Sequence, residues 1–255
     1  MRYRGGGFAP RTYPVICIAS VALVLMAWHF VATAQNNFIL LPTPGDVLAA
    51  IIEMWRTGEL QRHVTASLYR LLAGWSIGAG LGFAVGFSVG LYPLVRSSVL
   101  PLVAALFAIP KIAILPLFIL WLGIGETSKI ATIAIGVFSP MVIATYSGID
   151  AVDRNLIRMA QSFDLSTSRI VQTVLLPGAL PMIMAGVRVS AAIGIVLLVA
   201  SEMIAAQNGV GALALNSGSL MRTDRLFAAV ALLGLCGIFV SLTISLAERY
   251  FFRWR

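Results

Sequence analysis

Five residues carry charge or break helices inside stretches that are otherwise apolar: Pro110, Lys111, Pro116, Arg188 and Glu202. Pro110, Lys111 and Pro116 interrupt residues 99–122. Arg188 stands near the start, and Glu202 at the end, of residues 181–203. An ionisable group inside an apolar span is costly to bury and marks a polar route by default. Prolines free backbone carbonyls, which protein must cover or a cavity must receive. The chemistry these residues offer is non-covalent, a lined pathway whose cations Lys111 and Arg188 favour a small anion. The competing reading of Lys111 is a long side chain snorkelling to an interface.

Covalent chemistry finds no support. No G-x-x-x-x-G-K-[ST] phosphate loop occurs, so the chain has no ATPase motif of its own. G-x-S-x-G is absent, and His29 and His63 cannot assemble a nucleophilic triad. No His, Cys or carboxylate lies at ligand spacing from His63, so no metal site is expected. Cys17 and Cys236 sit inside apolar runs as inert thiols.

The elements that must position the five residues are membrane spans. The chain of 255 residues is 59% hydrophobic and 11% charged, where soluble domains carry roughly a quarter charged residues. The net charge of +8 comes from basic residues placed singly at the ends of apolar runs, which excludes a nucleic-acid patch. We expect an all-α membrane protein of about six transmembrane helices, each needing about 20 residues. Residues 1–12 precede a first, uncleaved span at 13–34. Residues 35–70 form an amphipathic segment with helices at 43–54 and 61–72, on which Arg56, Arg62 and His63 read as a solvated face. His29 reads as an interface residue. Residues 71–255 form the core, with spans at 71–92, 99–122, 130–147, 181–203 and 226–247, and a polar connection at 207–225. Gly74, Gly78, Gly82, Gly86 and Gly90 recur every fourth residue. They make a groove that another helix of the same chain can enter. Glu126 and Lys129 are spaced to pair.

The stretch 149–181 is amphipathic rather than merely polar. Ile149, Val152, Leu156, Met159, Ala160 and Phe163 recur at helical spacing and predict a helix over 151–163. Asp164 tolerates the left-handed conformation and predicts a corner. Ser166 can cap a second short helix carrying Ile170, Val171, Val174 and Leu175, which Pro177 should stop.

The series Ala160…Asp164…Ile170…Leu176-Pro177 resembles the cytoplasmic loop of inner-membrane permeases of binding-protein-dependent ABC importers, in their nitrate/sulfonate/taurine-type branch. The segments 109–116, 121–129, 176–181 and 200–203 resemble that branch as well. Arg158-Met159 replaces the first two residues of the family's Glu-Ala-Ala, and Asp164 replaces its glycine. The resemblance covers about residues 40–255. It implies a type I ABC importer permease fold with a cytoplasmic coupling helix at 150–177. Arg154, Arg158, Ala160, Asp164, Ser166, Arg169, Ile170 and Pro177 would form the surface that meets the ATPase. The implied partners are two ATP-binding subunits, a periplasmic substrate-binding protein, a second permease copy and membrane lipid, with no nucleic acid. The chain would bind no cofactor, and ATP and Mg would sit on the partner ATPase. The implied activity is import of a small anion such as nitrate, a sulfonate or taurine, or bicarbonate, or of a small organic solute. An ion-coupled secondary transporter is the alternative, with Glu202 its candidate carboxylate.

Both termini and the 149–181 loop fall on one side of six spans. That side carries Arg2, Arg4, Arg11, Arg96, Arg154, Arg158, Arg169, Arg249, Arg253 and Arg255. The other carries Arg56, Arg62, Arg70, Lys129, Arg222 and Arg225. The basic excess places the first side in the cytoplasm of a bacterial inner membrane.

Overall fold

The computed structural model describes residues 14–35 and 40–251, and all their regular structure is helical. Three helices form the core: α3 (Glu59–Leu91), α6 (Glu126–Asp150) and α9 (Leu176–Ala205). The glycine ladder decides how the first two meet. Gly74 lies against Ile130 and Ile133, Gly78 against Ala134, Gly82 against Phe138 and Met141, Gly86 against Val142 and Thr145, and Gly90 against Ile149. A Cβ at Gly82 would stand 2.7 Å from the Phe138 carbonyl oxygen, and one at Gly86 2.6 Å from that of Val142. Only a missing side chain permits this backbone approach. The partners rise in number together, so α3 and α6 run parallel. α9 runs the other way, with Gly148 beside Ala179 and Gly136 beside Leu197. Ile133, Val137, Met141, Ala179, Ile183 and Leu198 fill the seam.

Two parallel helices need a return crossing between them. It is made by α4 (Pro93–Ala108), a 3-10 turn at Lys111–Ile114 and α5 (Leu115–Leu122), bent by 89° at the break. Ile109 is extended, as a residue before proline prefers. The expected span at 99–122 thus begins earlier and is two helices. Pro116 does not interrupt it. That proline opens α5 at its first turn, where its missing N–H removes no hydrogen bond.

Four further helices contribute to a second cluster at the end where α3 and α6 begin. They are α1 (Pro14–Gln35), α2 (Pro44–Arg56), α10 (Val210–Ser219) and α11 (Thr223–Phe251). Val47, Ala50 and Met54 of α2 pack with Leu60, Leu213, Ala228 and Ala229. Thr43 and Asp46 close a capping box at the start of α2, and the Thr43 hydroxyl and N–H hold the Asp46 carboxyl below its usual range. Arg225 ties the start of α11 to Glu53 at 2.9 Å and Glu59 at 3.0 Å. α1 touches this cluster through Trp28, which stacks on Phe227 and donates to the Pro42 carbonyl. Apart from Trp28 and the buried Ala32, α1 leaves its apolar surface bare, as a lipid-facing helix does.

Two expectations fail here. Residues 61–72 are not a separate amphipathic helix but the first turns of α3, which runs unbroken through residue 70. Residues 207–225 are not a polar connection, since they hold the buried helix α10. Five described helices are long and apolar enough to cross a membrane, and the bent α4–α5 pair makes six. Residues 1–12, with Arg2, Arg4 and Arg11, and residues Arg253 and Arg255 lie outside the described part.

Candidate functional sites at the two ends of the core

At one end the chain leaves α6 and turns into α7 (Arg154–Ser162), capped by the Asp153 carboxylate, which accepts the Asn155 N–H at 2.8 Å. The expected apolar stripe divides. Ile149, Val152 and Ala160 are buried against the core, whereas Leu156, Met159 and Phe163 are exposed, Phe163 by 74%. These three follow at intervals of three and four residues and therefore share one face. Asp164 takes φ 60°, the left-handed corner expected of it. Arg154, Arg158, Asp164 and Arg169 are exposed around it.

After the corner, α8 (Thr167–Ile170) starts at Ser166, whose extended backbone enters the helix without a hydroxyl cap. Ile170 is buried. Pro177 does not stop this helix. A π-turn at Val171–Leu175 widens the backbone, and Pro177 enters within the first turn of α9. The wider turn spares the proline ring its clash with the carbonyl four residues back. Thr167–Ala205 is consequently one helix 39 residues long. An ion pair between Arg96 and Asp150, 2.8 Å apart, fastens the start of α4 to the end of α6 beside this corner.

At the opposite end lies a cluster that sequence spacing did not assemble. Glu202, with no exposed surface, accepts from the Ser67 hydroxyl at 2.7 Å, Arg70 Nη1 at 2.7 Å and the Gly211 N–H at 2.9 Å. Arg70 also donates from Nη1 to the Asn208 carbonyl, and from Nε and Nη2 to the two oxygens of Glu126. Lys129, 3% exposed, donates to the Gly125 carbonyl at 3.0 Å and stands 3.6 Å from Glu126. His63, expected on a solvated face, is buried, and its Nδ1 accepts the Gly209 N–H at 3.0 Å. The cluster pins α3, α6, α9 and the entry to α10 together. Its signal in the sequence was the glycine ladder read backwards: Arg70 stands four residues before Gly74, on the same helix face.

The other candidates lie apart from both ends. Lys111 turns its ammonium back onto the carbonyls of Leu106 at 2.7 Å and Phe107 at 3.1 Å in the last turn of α4, and of Ile109 just beyond it at 2.7 Å. A cation there satisfies acceptors that the break at Pro110 leaves open. Arg188 reaches from α9 to Glu248 of α11 at 2.7 Å and to Ser245. A cavity of about 270 Å³ between α3, α9, α10 and α11 is lined by apolar side chains such as Leu68, Leu198 and Phe239. Among the described residues no group of His, Cys, Asp and Glu could hold a metal ion.

The chain resembles known transport proteins over nearly its whole length. It is 33% identical to the taurine transport system permease protein TauC of Escherichia coli (strain K12), over 94% of this chain and 89% of that protein. It is 38% identical to the putative aliphatic sulfonates transport permease protein SsuC of the same organism, over 84% of this chain and 82% of that one. Its fold matches a chain of the MetNI methionine ABC transporter in an inward-facing conformation with a TM-score of 0.65, at 19% identity, over 77% of this chain and 97% of that chain. That likeness identifies the type I ABC importer permease fold. Residues 77–255 match the family described as binding-protein-dependent transport system inner membrane component. The chain belongs to that family, as a multi-pass inner-membrane permease of the branch that includes the taurine and sulfonate permeases.

Proposed function

We propose that this chain is the membrane-spanning subunit of an ATP-driven importer whose cargo is a small organic anion of the sulfonate class. The observation that carries the reading is the α7 corner. Leu156, Met159 and Phe163 form an apolar face outside the core, ringed by Arg154, Arg158, Asp164 and Arg169. An apolar patch with a charged rim is what a protein partner covers. The partner is an ATP-binding subunit, two per complex, which holds ATP and Mg. Ala160 and Ile170 anchor the corner to the core, Ser166 starts its second helix, and Pro177 leads that helix into α9. Closure of the ATPases moves α7 and, through α8, the rigid 39-residue helix.

A second copy completes the pathway, and a binding protein delivers cargo to the end that carries α2 and α10. Glu202 holds the wall of the pathway together at that end. Pro110, Lys111 and Pro116 shape the broken crossing, and Arg188 holds α11 against α9. The names of the relatives support the sulfonate class. An ion-coupled transporter fits less well, because the Glu202 carboxylate is already filled by Arg70, Ser67 and Gly211.

The test is co-purification of partner subunits with a tagged chain from the membranes of its own host. The native chain should bring down an ATP-hydrolysing subunit and support ATP-dependent uptake of taurine in proteoliposomes. Phe163→Asp should lose the subunit while inserting normally, because a charge on the docking face must be desolvated. Retention of the subunit by Phe163→Asp, or uptake driven by an ion gradient without ATP, would refute the reading.

A further inference from the structure

We propose that Arg70, Lys129 and the first turn of α6 form a binding site for the sulfonate group of the cargo, shut in this structure by the carboxylate of Glu126. The assignment deepens the importer reading and rests on it for the identity of the ligand as cargo.

The two carboxylates of the cluster have different standing. Glu202 has no exposed surface and is tied to α3 and α10, so it belongs to the wall. The side chain of Glu126 is 49% exposed. It touches Arg70 and Lys129 and can swing away without opening the core. Arg70 divides its guanidinium in the same way. Nη1 serves the wall through Glu202 and the Asn208 carbonyl, while Nε and Nη2 present their planar pair of donors to Glu126. Such a fork matches any anion with two suitably spaced oxygens.

Glu126 fills the position imperfectly. Both of its oxygens are taken by Arg70, and Lys129 is left 3.6 Å from one of them. The ammonium has three donors, and its single hydrogen bond is to the Gly125 carbonyl. Lys129 is almost wholly buried, so water does not readily make good the deficit. Tethered at the start of α6, the Glu126 carboxylate serves the fork and does not reach the ammonium. A tetrahedral headgroup with three oxygens can serve both, two on Arg70 and the third toward Lys129. The start of α6 adds to the field, since its N-cap Gly125 offers no side chain to the free N–H groups of the first turn. The approach would run past the loop that leads into α6, where Ile124 is exposed and added side chains at Gly123 and Gly125 would meet nothing within 4 Å.

The site therefore prefers a sulfonate to a carboxylate, with Glu126 as a tethered competitor. The test uses the full chain in lipid nanodiscs, titrated calorimetrically with methanesulfonate, acetate and inorganic phosphate at constant ionic strength. Glu126→Gln should bind methanesulfonate at least tenfold more tightly than the native chain and in preference to acetate. Adding Lys129→Met should erase that preference. Equal binding by Glu126→Gln and the native chain, or equal response to methanesulfonate and acetate, overturns the proposal. Tighter binding of phosphate than of methanesulfonate makes this a phosphate site and overturns it as well.

Should Glu126→Gln not assemble, Ile124→Cys on a chain freed of Cys17 and Cys236, with Glu126 kept, gives the answer. Methanesulfonate should change its maleimide labelling rate severalfold and acetate should not; a rate that neither alters refutes the site. Co-purification of the ATPase, followed on the same preparations, separates the two failures. Its survival without sulfonate binding sinks this site and leaves the importer reading standing.

Discussion

Arg70 shows how one residue can be structural on one side and exchangeable on the other. Its buried partner Glu202 has no access to water, so removing the guanidinium strands a charge in the interior. Breaking a buried pair in that way costs about 3–5 kcal/mol. Arg70→Ala should therefore lower the thermal unfolding midpoint in detergent by many degrees. Arg70→Met combined with Glu202→Gln should recover part of the loss, because the orphaned charge goes with its partner. A double-mutant cycle that shows no coupling between the two positions would mean they are held independently, by Ser67 and Gly211 on one side and Glu126 on the other. Glu126 and Lys129 were legible as a pair from their spacing alone. Ser67 and His63 were not, and Arg70 only through its place four residues before Gly74, because three-dimensional convergence from α3, α6 and α9 leaves no short-range pattern of its own.

Among the elements, α3 and α6 carry the clearest link from sequence to packing. The four-residue glycine period announced a groove, and the groove is filled by α6 along its whole length. Gly82→Ala should destabilise the protein by about 1–3 kcal/mol, since its Cβ must displace the Phe138 carbonyl. Gly80 lies on the same helix with nothing within 4 Å of an added Cβ. Gly80→Ala should be neutral or stabilise by up to about 1 kcal/mol through helix propensity. Thermal melts of the two variants side by side check this, and equal loss in both would remove the groove as the explanation. Elements whose signal was a period were therefore legible. Elements that depended on relief of strain were not. Pro177 looked like a stop because a regular helix cannot hold it, and the π-turn at Val171–Leu175 is a tertiary solution that no local rule predicts. α10 escaped notice because its glycines and polar residues resemble a connection until α3, α9 and α11 close around it. The corner at Asp164 was legible because so few residue types accept a positive φ.

For the molecule as a whole, parallel packing of α3 and α6 settles what the proline-broken segment is. A helix that ends at Leu91 cannot be followed by a parallel neighbour starting at Glu126 unless the chain between returns across the full thickness. The α4–α5 pair is consequently a bent crossing and not a loop that enters and leaves on one side. Six crossings then set the α7 corner opposite the end that carries α2 and α10. Sidedness is an expectation from charge, and the basic excess behind it depends on counting Arg2, Arg4, Arg11, Arg253 and Arg255 of the terminal segments with the corner end. Single cysteines on a chain freed of Cys17 and Cys236 measure it directly. Thr57→Cys, exposed between α2 and α3, should react with a membrane-impermeant maleimide on intact cells. Ser168→Cys, exposed on α8, should react only in inverted vesicles. The reverse pattern would put the apolar face of α7 in the periplasm, where no ATP is hydrolysed and the face would have no motor to meet. Labelling of both positions from the same side would instead break the six-crossing count, and with it the return path that the parallel pair demands.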